Sequence, residues 1–135
     1  MTIMFMLDTN AVSVFIHGSS RTFDGRVADA DAGRLAISAV SYGETFYGLA
    51  KNPGARRLHA AAEHLLQIVT ILDWTASTGR RYGHLRAAMR RAGKALQPLD
   101  MLIAAHALEA GATLVTNDQA FRHVPGLAVE DWTSE

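Results

Sequence analysis

The stretch Phe5–Asn10, which reads FMLDTN, places three apolar residues directly before an acid and two further polar residues. A short apolar run of this kind is typical of a buried parallel strand, and residues 9–17 can continue as a helix. The same arrangement returns in Leu114–Asp118, which reads LVTND. Because ligands of open α/β folds collect at the carboxyl ends of the strands, we expect Asp8 and Asp118 to share one edge of a sheet.

Strand and helix patterns alternate along the rest of the chain. The predicted strands cover residues 3–7, 35–38, 68–72 and 112–116, with a short edge strand at 127–129. The predicted helices cover residues 9–17, 21–32, 41–51, 55–66, 99–110 and a long segment from a cap at Asp73 or Thr75 to about Ala92. This alternation predicts an α/β fold with a central, mostly parallel sheet of four to five strands flanked by helices. Without a repeat or a linker, residues 1–135 are expected to form a single domain.

The composition is that of an ordinary globular domain. The chain has 135 residues, of which 49% are apolar and 19% are charged, and this balance argues against disorder. The absence of cysteine excludes disulfides and thiolate metal sites and fits a reducing compartment. Since no apolar run approaches the length of a membrane span and no signal-peptide pattern begins the chain, we expect a cytoplasmic protein without a membrane partner.

The charge is balanced overall but unevenly distributed. The formal net charge is zero, which by itself gives no support for a nucleic-acid partner. Residues 79–97, however, contain six basic residues and no acid. The candidates for contact with a phosphate backbone are Arg80, Arg81, Arg86, Arg90 and Arg91. The alternative is a solvated helix face, and these arginines fall on more than one side of a helix, so they cannot all contact one strand.

Two candidate functional acids follow predicted strands, and each has a structural alternative. Asp8 either caps the helix after it or leaves that role to Thr9 or Asn10 and remains free to bind a ligand. Asp118 either closes an Asx turn, which Asn117 also favours, or serves as a ligand directly or through water. The local sequence leaves both alternatives open.

Two further acids lie at predicted helix starts. Ser41–Glu44 matches a capping box, which favours a structural role for Glu44. The helix dipole favours an acid at Asp100 without any function. Taken together with Asp8 and Asp118, however, these carboxylates would repel one another unless a cation lay between them, and their hard oxygen atoms suit Mg²⁺ or Mn²⁺. The set therefore indicates a metal-dependent enzyme that acts on phosphate esters.

The histidines offer no competing metal site. None of the six has the spacing of a metal-binding pair. His106 lies on the apolar stripe of a predicted helix, and we expect it to be a hydrogen-bonded core residue.

The ordered set of motifs resembles the PIN domain and, within it, the VapC-type toxins of toxin–antitoxin pairs. The resemblance covers nearly the whole chain, through Met6–Asn10, Ile37–Glu44, Tyr82–Arg86, Pro98–Ala107, Leu114–Asp118 and Pro125–Trp132. The family's four acids are present as Asp8, Glu44, Asp100 and Asp118. The residue before Pro98 is often glycine in such proteins and is Gln97 here, a change expected to affect a loop rather than the chemistry.

This resemblance implies a PIN-like three-layer sandwich and an endoribonuclease that depends on Mg²⁺ or Mn²⁺. Asp8, Asp100 and Asp118 would hold the metal, and Glu44 would be a ligand or position the water that hydrolyses the RNA phosphodiester bond. Neighbouring polar side chains would orient these carboxylates, namely Thr9, Asn10, Thr116 and Asn117. The basic residues of the long helix would then contact RNA.

The resemblance also implies partners. A cognate VapB-like antitoxin would block the acidic cleft, and the chain would form a homodimer within the toxin–antitoxin complex. Other functions stay open from the residues alone. They are a PIN-like nuclease outside a toxin system, a metal-dependent phosphomonoesterase, and a non-catalytic module that binds a partner through its basic helix.

Overall fold

The computed structural model describes residues 4–31 and 33–134. Its strands are β1 (Phe5–Leu7), β2 (Leu35–Ser38), β3 (Thr70–Leu72), β4 (Thr113–Val115) and β5 (Val129–Glu130). Its helices are α1 (Thr9–His17), α2 (Arg21–Asp29), α3 (Ala39–Lys51), α4 (Arg56–Ile68), α5 (Ala76–Arg91) and α6 (Pro98–Ala110), with a 3₁₀ helix at Gln119–His123. All strand pairs are parallel, in the order β3-β2-β1-β4-β5. The predicted α/β class with a parallel sheet is confirmed.

Several predicted boundaries differ because capping side chains decide them. Helix α3 begins at Ala39 rather than at residue 41, since the Ser38 hydroxyl accepts a hydrogen bond from the Val40 N–H. Helix α5 is capped by Thr75 and not by Asp73. Helix α2 ends at Asp29 and not at the predicted residue 32. Residue 32 and residue 3, the predicted start of the first strand, lie outside the described residues. The 3₁₀ helix after β4 was not predicted.

The strand order reverses between β1 and β4, so the carboxyl ends of these two strands lie at the topological switch point of the sheet. The chain runs outwards from β1 to β2 and β3, and then returns to place β4 on the other side of β1. Leu7 is in register with Ile37 of β2 and with Val115 of β4. The next residues, Asp8 and Thr116, therefore leave the sheet side by side, where α/β folds bind their ligands.

Two apolar layers hold the helices against the sheet, because successive strand residues face opposite sides. On one side Leu7 packs in a cluster with residues of α1, α2 and α4. On the other side Met6 packs with residues of α5 and α6. This is the three-layer sandwich expected from the sequence. No helix in the described part of the chain is long and apolar enough to cross a membrane.

Candidate active site

Asp8 is both a helix cap and a buried acid. Its side chain is almost inaccessible, with 3% relative exposure, and its Oδ1 accepts a hydrogen bond from the Ala11 N–H at 2.7 Å. Capping by Thr9 or Asn10 instead is thereby shown to be wrong. Burial raises the pKa of Asp8 to about 6, against the effect of hydrogen bonds from Thr116 and Ala11, and nearby Asp100 and Asp118 raise it further. An acid in this state gains strongly from a neighbouring cation.

Glu44 is held in place by helix α1 and not by a capping box. The Thr9 hydroxyl donates a hydrogen bond to Glu44 Oε1 at 2.6 Å and lies 3.0 Å from the hydroxyl of Ser41. Ser41 is buried inside α3, and Ser38 caps that helix. The capping role favoured by the local sequence is therefore wrong, and Glu44 is instead oriented by the residue next to Asp8.

Asp100 lies in the first turn of α6, as predicted, and is partly buried. Its carboxylate makes no hydrogen bond to any side chain or backbone group among the described residues, so its oxygens remain available. Burial raises the pKa of Asp100, and the charges of Asp118 and Glu44 raise it further. The helix dipole favours the charged form of Asp100 and so lowers its pKa, but burial and the acidic neighbours outweigh that effect.

Asp118 joins the same site through a turn after β4. Its Oδ1 accepts from the Ala120 N–H at 2.9 Å, and its own N–H donates to Thr116 Oγ1 at 3.0 Å. The predicted Asx turn is thus present, and the charge of Asp118 still raises the pKa values of Asp8 and Asp100. Thr116 contacts both acids, as a donor to Asp8 and as an acceptor from Asp118.

The four acids form one negatively charged cluster. The charges of Asp100 and Asp118 raise the pKa of Asp8, and the charges of Asp118 and Glu44 raise the pKa of Asp100. The four carboxylates therefore act on one another electrostatically. None of the ion pairs within the described ranges includes any of them. As their side chains stand, no group of three or more Asp, Glu or His residues within 4–31 and 33–134 is arranged so that it could hold a metal ion. Asp8, Glu44 and Asp118 are each held by their own donor instead.

The polar neighbours divide into two kinds. Thr9 and Thr116 contact the carboxylates, as described above. Asn10 and Asn117 are exposed and make no hydrogen bond to the four acids in the part of the chain that is described. They lie beside the carboxylates and line a separate hollow.

The basic residues of α5 also divide by position. Arg81 pairs with Glu109 at 3.4 Å, and Arg86 donates to the Tyr82 hydroxyl at 2.8 Å. Arg86, Arg90 and Lys94 line a groove of about 370 Å³ that reaches Met101, the residue after Asp100. Arg80 and Arg91 are exposed but do not line this groove. Lys94, which the sequence did not single out, lies beyond the end of α5 at Arg91, so helical spacing from Arg90 does not place it in the groove.

His106 is the core residue that its apolar stripe predicted. It is buried, and its Nδ1 lies 2.7 Å from the Ser38 hydroxyl oxygen. The ring also forms a hydrogen bond with the backbone of Asp73. Burial lowers the pKa of His106, so the ring is a neutral structural element that links α6 to the start of α3.

Comparison with known proteins decides the family. The family described as PIN domain matches residues 5–127. The chain is 34% identical over 130 residues to the tRNA(fMet)-specific endonuclease VapC of Shigella flexneri, covering 96% of this chain and 98% of that relative. The chain belongs to the VapC family of PIN-domain proteins. Another member, Ribonuclease VapC2 of Haemophilus influenzae (strain ATCC 51907 / DSM 11121 / KW20 / Rd), is 33% identical over 129 residues, with 95% and 97% coverage.

Solved VapC-family structures share the whole fold. The DNA-bound VapBC of Salmonella typhimurium contains a chain that superposes with a TM-score of 0.88 at 31% identity, over 97% of this chain and 99% of that one. VapBC2 of Rickettsia felis, solved with a DNA fragment of its promoter, gives a TM-score of 0.85 at 28% identity, over 95% and 98%. The expected VapC-type resemblance is confirmed over nearly the full length.

Proposed function

We propose that this chain is a metal-dependent endoribonuclease and the toxin of a toxin–antitoxin pair. The observation that carries the proposal is the cluster of Asp8, Glu44, Asp100 and Asp118 at the switch point of a VapC-family fold, in which burial and neighbouring acids raise the pKa of Asp8 and of Asp100. The names of the relatives support it, since they are nucleases called VapC, and the solved neighbours are VapBC complexes.

The residues present fit a divalent cation. The four side chains offer only hard carboxylate oxygens, they carry uncompensated charge, and Asp100 has no competing partner among the described residues. Asp8, Asp100 and Asp118 would hold Mg²⁺ or Mn²⁺, with Glu44 as a further ligand or as the group that positions water. A metal bound there supplies a more acidic water as the nucleophile and positive charge for the crowded phosphate.

The chain's own residues provide the orientation on which this chemistry depends. The Ala11 N–H and the Thr116 hydroxyl fix the Asp8 carboxylate, and the Thr9 hydroxyl fixes Glu44. Because these donors come from backbone and buried or partly buried hydroxyls, the carboxylates do not need to reorganise when RNA binds.

RNA would approach along the basic groove. Arg86 and Arg90 are one helical turn apart on α5, Lys94 lies beyond the end of that helix and lines the same groove, and residues 79–97 contain no acid. Such a groove suits successive phosphates that lead towards Asp100. Arg80 and Arg91 would contribute longer-range attraction, and Arg81 contributes least because Glu109 already neutralises it.

The partner of the proposed toxin would be a VapB-like antitoxin that covers the acidic cleft. The uncompensated charge of the four acids favours an antitoxin segment with a basic side chain there. We further propose a homodimer inside that complex and action in the cytoplasm, where both RNA and the antitoxin are made.

The test is RNA cleavage by the purified chain, free of any antitoxin. The first substrate to try is tRNA(fMet), because the relative from Shigella flexneri is named as specific for it. Cleavage should require Mg²⁺ or Mn²⁺, stop in EDTA and leave 5′-phosphate and 3′-hydroxyl ends. Asp8→Asn and Asp100→Asn should fold and be inactive, whereas Glu63→Gln, an exposed acid of α4, should behave as wild type.

The outcome also separates the other functions. Full cleavage in EDTA would reject the metal mechanism. RNA binding without cleavage in any metal would indicate a non-catalytic module, and hydrolysis of small phosphate monoesters alone would indicate a phosphatase. If the purified chain cleaves RNA but its expression does not slow the growth of the host cells, the protein is a nuclease outside a toxin system.

A further inference from the structure

A second hollow lies beside the acids, on the α1 side. It has a volume of about 390 Å³ and is lined by Asn10, Ser13, Val14, His17, Ser19 and Asn117. Four of these residues share the spacing i, i+3, i+4 and i+7, so they form one face of α1. At 1.5 Å per residue this face is about 10 Å long. The hollow is therefore an elongated surface that starts at the acidic cluster.

Two residues that line the hollow are close in sequence to acids of the candidate active site. Asn10 follows Asp8 by two residues, and Asn117 lies between Thr116 and Asp118. Both asparagines therefore stand at the rim of the cluster, one on each side of the seam between β1 and β4. A group bound by both would be a direct neighbour of a phosphate held at the carboxylates.

The lining is polar but carries no formal charge. It contains no Lys, Arg, Asp or Glu, in contrast to the groove lined by Arg86, Arg90 and Lys94. The carboxamides of Asn10 and Asn117 have no hydrogen-bond partner in residues 4–31 and 33–134. An asparagine carboxamide offers a donor and an acceptor side by side, the pattern that reads the edge of a base.

His17 adds an oriented ring. Its Nδ1 lies 2.9 Å from the Ser13 carbonyl oxygen, which can only accept, so Nδ1 carries the proton and donates. In the neutral ring Nε2 is then a free acceptor, and the exposed ring face can stack on a base. Fixed at Nδ1, the ring is held against the α1 face that carries Asn10.

We infer that this hollow binds a nucleobase next to the scissile phosphate and sets the base preference of cleavage. The inference rests on the proposed endoribonuclease function and adds the recognition element to it. An uncharged surface with unpaired carboxamides and an aromatic ring suits an unstacked base of single-stranded RNA. The two surfaces thus divide the substrate, with phosphates in the basic groove and a base against α1.

The test compares Asn10→Ala, Asn117→Ala and His17→Ala with Gln67→Ala, an exposed change on α4 outside the hollow. The Asp8→Asn protein serves as a non-cleaving background. In this background, fluorescence anisotropy would measure the binding of each variant to short single-stranded RNAs that differ in one base. For the active proteins, sequencing of cleavage ends from a randomised RNA would give the base preference.

We expect each asparagine variant to lower the preference for the favoured base by about tenfold, while binding of disfavoured RNAs changes little. His17→Phe should preserve affinity better than His17→Ala, because a stacking ring remains. Gln67→Ala should match wild type. A uniform loss of affinity for all RNAs, or an unchanged preference in both asparagine variants, would overturn the inference.

Failure of the inference can be told apart from failure of the proposed function. If the wild-type chain cleaves RNA but the variants keep its base preference, only the hollow has been misassigned. If the wild-type chain neither cleaves nor binds any RNA, the nuclease function fails and the base site fails with it.

Discussion

Thr9 donates a hydrogen bond from its hydroxyl to Glu44 Oε1 across 2.6 Å, joining the first residue of α1 to the second turn of α3. The preceding residue, Asp8, caps the same helix with its own carboxylate. One dipeptide therefore supplies one acid of the cluster and orients another. Glu44 can hold a fixed position only while α1 and α3 stay packed together.

Replacing Thr9 with valine should impair catalysis while preserving the fold. Valine keeps the shape of threonine but cannot donate to Glu44, and loss of such an orienting partner typically costs 10- to 100-fold in metal affinity or activity. The measurement is kcat and the Mg²⁺ concentration for half-maximal rate. Thr9→Ser, which keeps the hydroxyl, should stay close to wild type; equal activity of Thr9→Val and wild type would contradict a role for this bond.

Asp8 should make the metal-free protein less stable at neutral pH. Its pKa is about 6 in the folded protein, against an ordinary value of 3.8, because burial disfavours the charged form. The folded state therefore binds the proton more tightly than the unfolded chain. Stability from this group is present below about pH 4 and is lost as the pH rises through about 6, by about 3 kcal/mol in total.

Asp8→Asn should therefore be more stable than wild type above pH 6 and lose that advantage below pH 4. Asparagine caps helices as well as aspartate does, so α1 is preserved. Urea unfolding in EDTA between pH 4 and 8 gives the difference. The exposed change Asp29→Asn controls for altered net charge. A constant difference between Asp8→Asn and wild type across this range would contradict the buried, proton-binding state of Asp8.

The sequence predicted the acids better than the contacts between them. Asp8 and Asp118 follow apolar strands, so their common edge follows from parallel pairing alone. The Thr9–Glu44 bond joins residues 35 positions apart and depends on how α1 packs against α3, which no local pattern records. The capping-box motif at Ser41 misled for a related reason. Ser38, at the end of a buried strand, takes the cap first, and Ser41 becomes an interior residue of the helix.

The proposed role of the basic groove predicts a salt effect specific to three residues. Each contact with a single-strand phosphate contributes about 0.7 to the slope of log affinity against log salt concentration. Arg86→Gln, Arg90→Gln and Lys94→Gln should each lower the slope by about this amount in RNA titrations at several salt concentrations. Arg57→Gln on α4 is the control. If all four variants gave the same slope, the groove would not contact the RNA phosphates.

The buried pair of Ser38 and His106 should be a point of structural vulnerability. The Ser38 oxygen accepts from the Val40 N–H, so its own proton is available for the Nδ1 of His106, 2.7 Å away. Ser38→Ala removes the cap of α3 and leaves a buried ring nitrogen without a partner. Caps are worth about 1 kcal/mol and an unsatisfied buried group costs about 1–3 kcal/mol, so the loss should be about 2–4 kcal/mol.

Acid should weaken the wild-type protein through the same ring. Burial keeps the pKa of His106 below its ordinary 6.5, so the unfolded chain binds the proton first and stability falls as the pH drops below 6.5. This trend opposes that of Asp8, and comparison in the Asp8→Asn background isolates it. There, His106→Gln should flatten the acid side of the stability profile measured by urea unfolding. An unchanged profile would mean that the ring is not held neutral, and the Ser38 bond would then need the opposite donor.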